Sequence, residues 1–63
     1  MSANNQLVIN RKQNGLYKVA DVDVDTAAEF VVANDVDGLD VAIEKANDYM
    51  QENEVEYGLN IVK

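Results

Sequence analysis

The sequence predicts a small α+β fold in the order β-β-β-α-β, a four-stranded mixed sheet with one helix packed on one face. Three observations carry that expectation. Asn14-Gly15 stands between two β-like runs, the strongest short-range hairpin signal. From Leu39 to Met50 the apolar residues recur at three- and four-residue intervals, the period of one helix face. Beyond them Val55, Tyr57, Leu59 and Ile61 alternate with Glu56, Gly58 and Asn60, the period of a half-buried strand.

Taken in order, residues 1–5 are polar and read as a loose N-terminal tail. A first strand follows over residues 6–12, with Leu7 and Ile9 on one face. If Asn14 and Gly15 form a two-residue loop, Ile9 lies opposite Ala20 and Leu7 opposite Val22. Directly paired residues share a side, so all four point to one face. Asp21-Val22-Asp23-Val24-Asp25 then alternates with valine inward and aspartate outward. A third strand over residues 28–33 is expected to place Phe30 and Val32 against the core. That arrangement asks for an odd-numbered connection, three residues over 25–27 or five.

Asp37 is the expected helix N-cap, with Asp40 near the positive helix end. Leu39, Ala42, Ile43, Ala46, Tyr49 and Met50 form the buried stripe; Glu44, Lys45, Asp48 and Gln51 lie opposite. The final strand runs parallel to the first and third. Docking beside the first gives a sheet ordered 4-1-2-3 with a right-handed crossover; docking beside the third is the alternative. Gly58 within a strand pattern suggests a bulge or a close backbone approach.

Size and composition narrow the function. The chain has 63 residues and reads as one domain over residues 1–63. A chain of that length buries only about 60% of the surface its unfolded form exposes. Small domains offset a marginal core with disulfides, a metal or self-association. Cysteine and histidine are both absent, which removes disulfides, thiolate sites and the commonest metal ligand and general base. Self-association is what remains.

The net charge is −7, from 12 acidic and 5 basic residues. That sign argues against direct nucleic-acid binding and against anionic membranes. No run approaches the ~20 apolar residues of a membrane span, and no signal peptide opens the chain, so a cytoplasmic location is expected.

Asp21-x-Asp23-x-Asp25 resembles the start of a calcium loop, but Thr26 and Val32 stand where that loop needs glycine and glutamate. Asp35-x-Asp37-Gly38 is a second partial match that a helix-capping turn explains. Without His or Cys no nucleophile–base pair can be assembled, and the three glycines match no phosphate loop. The reading is a non-enzyme with no metal and no cofactor.

One helix covers one sheet face. The opposite face is expected to carry Val8, Tyr17, Val19, Val31 and Val62, with Asp21 and Asp23 among them, and these are the candidate protein-interaction residues. Two functions compete. One is a protein-interaction module that pairs with itself as a homodimer through that face. The other is an acidic inhibitor, of the kind phages encode, whose carboxylate rows imitate a nucleic-acid backbone and occupy a basic protein. Its rows would be Asp21, Asp23 and Asp25 with Glu29, and Asp35, Asp37, Asp40, Glu44 and Asp48.

Overall fold

The computed structural model describes residues 4–62. Four strands, β1 (Asn5–Arg11), β2 (Tyr17–Asp23), β3 (Glu29–Val36) and β4 (Leu59–Val62), and one helix, α1 (Leu39–Glu52), follow the expected β-β-β-α-β order. The sheet is ordered β3-β2-β1-β4, with β4 parallel to β1 and the other neighbours antiparallel. The final strand therefore docks beside the first. The first three residues of the expected tail lie outside the described residues, and Asn5 already belongs to β1.

The first hairpin departs from expectation by one residue. Lys12 and Leu16 close the loop through Lys12 N–H to Leu16 O at 2.7 Å, and Gly15 N–H donates to Lys12 O at 3.0 Å. The loop is thus Gln13-Asn14-Gly15, three residues long. Gly15 has φ +84° while Asn14 is not in the positive-φ region, so a type I′ turn, which needs positive φ at both central residues, does not form. Ile9 pairs with Val19 and Leu7 with Asp21. Every side chain of β2 consequently faces the side opposite to that expected, because the side-chain period is two.

The second connection also differs. Asp23 N–H donates to Ala28 O at 2.9 Å and Ala27 N–H to Asp23 O at 2.7 Å, which closes a four-residue turn with Ala27 at φ +62°. The Asp23 carboxylate accepts from the N–H groups of Asp25 and Thr26. Phe30 therefore pairs with Asp21 and Glu29 with Val22. Phe30 is 64% exposed instead of buried. The register of β2 and β3 shifts between Tyr17 and Ala20, and this irregularity carries β3 on to Val36, a core residue expected in the connector.

The core is compact in membership: Leu7, Ile9, Val19, Val36, Ala42 and Ala46 are buried together, with Tyr17, Leu39, Ile43, Tyr49 and Met50 packed against them. Ala42 and Ala46 lie one turn apart, and their small side chains let α1 sit close on the sheet. Gly38, at φ +107°, occupies the helix N-cap position with no side-chain cap bond, so Asp37 does not cap the helix. At the other end Asn53 donates its backbone and side-chain N–H groups to Tyr49 O, at 2.9 and 3.2 Å. Residues 53–58 form a connector in which Val55 packs on the core and Tyr57 is 57% exposed. The final strand is correspondingly shorter than its alternating sequence suggests. Gly58 precedes it at φ +73°, and its carbonyl accepts from Leu7 N–H at 2.9 Å.

Candidate functional site

The side of the sheet away from α1 follows from the pairing. Val31, Ala20, Val8 and Asn60 lie directly across from one another, one from each strand in turn. Val22 pairs with both Gln6 and Glu29, and Asn10 pairs with both Lys18 and Val62. Residues that pair share a face, and Ile9 and Val19, one step along their strands, are fully buried on the other. The open face therefore presents Val8, Ala20, Val22, Val31 and Val62, framed by Gln6, Asn10, Lys18, Glu29 and Asn60.

Of the expected interaction residues, Val8, Val31 and Val62 take their places on this face. Val31 is 45% and Val62 42% exposed. Val19 does not: it is buried in the core. Tyr17 packs beside it, and Asp21 and Asp23 belong to the same helix side. The physical reason is the three-residue first loop. Ala20 and Val22, assigned to the core by the two-residue loop, belong to the open face instead. Lys18 held the signal for this: the expected register would have turned its ammonium beneath the helix. In the structure Lys18 Nζ lies 2.8 Å from Glu29 Oε1 on the open side.

The charge distribution on the open face is unlike that of the chain. Glu29 is the one acidic residue among its paired strand positions, and it is matched by Lys18. The remaining acids of the strands are occupied elsewhere. Asp21 accepts from Tyr49 Oη at 2.7 Å and from Asn5 Nδ2 at 2.8 Å. Asn5 in turn reaches Glu54 O and Glu56 N, both at 3.3 Å, so it ties the connector to the sheet. Asp35, at φ +53°, meets Lys12 Nζ at 2.7 Å. Asn4 donates to the Asp25 carboxylate.

On the helix side a shallow cavity of about 380 Å³ lies among Asn4, Asn5, Asp21, Asp23 and Phe30. Its carboxylates already accept hydrogen bonds from protein groups. Among the described residues no three acidic side chains converge in a geometry able to hold a metal ion. A smaller apolar recess of about 200 Å³ is bounded by Arg11, Tyr17, Leu39, Ile61 and Val62. No described helix is long and apolar enough to cross a membrane.

Comparison of the chain with protein-family models, with curated proteins and with solved structures finds no match.

Proposed function

We propose that this chain is a small, non-enzymatic, cytoplasmic protein-interaction module whose binding surface is the open face of its sheet. One observation carries the reading: Val8, Val22, Val31 and Val62 lie with the buried Ala20 on a face that no described element covers, in a chain whose surface is otherwise rich in acids. An apolar patch with a polar frame is the usual mark of a protein contact. Scattered exposed valine is ordinary in strands, but here Val31, Ala20 and Val8 pair in one row, with Val22 and Val62 diagonal to it in the rows on either side.

The test is a pull-down with the wild type and a Val31→Asp/Val62→Asp double variant, washed at low and high salt. Both positions are exposed, so the variant keeps the core. A partner held through high salt by the wild type and lost by the double variant supports the reading. Partners retained equally by both proteins overturn it.

A second reading, the acidic mimic, is favoured by a different observation. Asp37, Asp40, Glu44 and Asp48 are all exposed and recur at three- and four-residue steps, so they form one row along α1 and its entry, spaced about 6 Å at 1.5 Å per residue. The strand row expected beside them does not form: Asp21 and Asp23 lie on the helix side and Glu29 on the other. Charge reversal at Glu44 and Asp48 is the test of this version. Unchanged capture of a basic nucleic-acid-binding protein after that reversal overturns it.

A further inference from the structure

We propose that the occupant of the open face is a second copy of this chain, in a weak two-fold dimer that salt strengthens. The proposal rests on the open-face reading and names its partner. Two copies each carrying −7 repel wherever their acidic surfaces meet, and the repulsion between like net charges opposes association. The open face is where that opposition is least. Its framing residues Gln6, Asn10 and Asn60 are uncharged, and its single acid is matched by a cation of the same face, Lys18 with Glu29 at 2.8 Å.

A two-fold contact is isologous, so the same patch serves both copies. Each copy then offers the other one cation and one anion, with valines between. A cationic partner would gain nothing from this face in particular, because the acids that would attract it are on α1, the connector and the turns.

The size of the face limits the contact. Four strands about 4.8 Å apart, with some five residues of each at ~3.3 Å, give roughly 300 Å² of flat sheet. Standard interfaces bury about 800 Å² per partner. The dimer therefore belongs to the weak, transient class, and concentrations on the order of 10 μM to 1 mM are the range in which to look for it. Ala20, fully buried on this face by its own neighbours, adds no further area.

Sedimentation equilibrium tests the proposal, run across that concentration range at low salt and at about 0.5 M salt, where the screening length is only a few ångströms. The expected result is a mass that rises from one chain toward two, further along at high salt. The dimer should be lost in Val31→Asp/Val62→Asp and kept in Phe30→Ser, whose exposed ring lies on the helix side. Circular dichroism confirms that both variants fold. A single-chain mass throughout overturns the proposal, as does a dimer that survives the double variant or is lost with Phe30→Ser. A monomer whose foreign partner is lost by the double variant overturns self-association and leaves the open-face reading standing. A monomer whose partners are indifferent to that variant overturns both.

Discussion

Tyr49 Oη donates a 2.7 Å hydrogen bond to Asp21 Oδ2, joining the last turns of α1 to the centre of the sheet. This bond explains how an aspartate is tolerated on the side of the sheet that carries the core. Asp21 lies on the same side of β2 as Val19, yet its two oxygens are satisfied by Tyr49 and Asn5. A carboxylate so supplied does not suffer the full cost of lost hydration.

The Tyr49–Asp21 bond makes stability depend on alkaline pH. The hydrogen bond to Asp21, then burial, then repulsion between carboxylate and phenolate push the Tyr49 pKa up from 10.0 to about 12. The native state therefore holds the phenolic proton more tightly than the unfolded chain. That contribution is complete below pH 10 and is lost as pH rises through about 12. Urea melts should show a midpoint falling across this interval in the wild type and a shallower fall in Tyr49→Phe. The same substitution should cost about 1 kcal/mol at neutral pH, for one partly exposed hydrogen bond. An equal alkaline fall in both proteins overturns this account.

The register of the first hairpin can be tested by two substitutions in one strand. Val19→Asp places an unpaired carboxylate in the core beside Leu7 and Ile9 and should leave the chain unfolded, since a domain of this size has only about 3–9 kcal/mol to lose. Val22→Thr, on the open face, should change stability by less than about 1 kcal/mol. With the two-residue loop Val19→Asp would instead be tolerated on the open face, and Val22→Thr in the core would be the costlier change. Thermal melts followed by circular dichroism decide it.

At Gly38 the backbone is in a region that only glycine occupies readily, φ +107° with ψ 138°. An added Cβ would also come within 2.9 Å of Asp40 Oδ1, though that flexible side chain can move aside. Gly38→Ala should therefore cost about 1–3 kcal/mol through the backbone alone. Combining it with Asp40→Ala should recover little of the loss. Substantial recovery would assign the cost to the side-chain contact instead.

Core size can be checked at Ile9, fully buried between β2 and β4. Ile9→Ala should cost about 2–5 kcal/mol. Ile9→Val should cost about 0.5–1.5 kcal/mol. Chemical denaturation gives both values, and a loss under 1 kcal/mol for alanine would contradict the packing described.

The element order and the helix stripe were legible because each rests on a pattern longer than one turn, whereas the place of the last strand beside the first was a topological preference over docking beside the third. Leu39, Ala42, Ile43, Ala46, Tyr49 and Met50 can share a helix face in only one way. The faces of β2 were not legible. Val19, Ala20 and Val22 put apolar residues on both sides of that strand, so alternation alone could not choose between them. Gln13-Asn14-Gly15 suits both loop lengths, since one positive-φ glycine serves the longer loop and Asn-Gly together serve the shorter. The choice is made by packing, which turns Tyr17 and Val19 toward α1 and releases Lys18. The candidate surface inherited that ambiguity: Val8, Val31 and Val62 lie on the open face as expected, while Ala20 and Val22 lie there instead of Tyr17 and Val19.

Strand order also fixes a sequence of events during synthesis. β1 emerges first but has β4, made last, as one of its two neighbours. The β1–β2–β3 meander can pair as soon as residue 36 is available, with Leu7, Ile9 and Val19 still wet because α1 has yet to dock. Such long-range closure slows folding, and an uncovered apolar face is a hazard while it lasts. For a nascent chain of this topology the vulnerable interval falls between completion of β3 and arrival of the helix. While that interval lasts, a chaperone or a second unfinished chain can reach the uncovered core face.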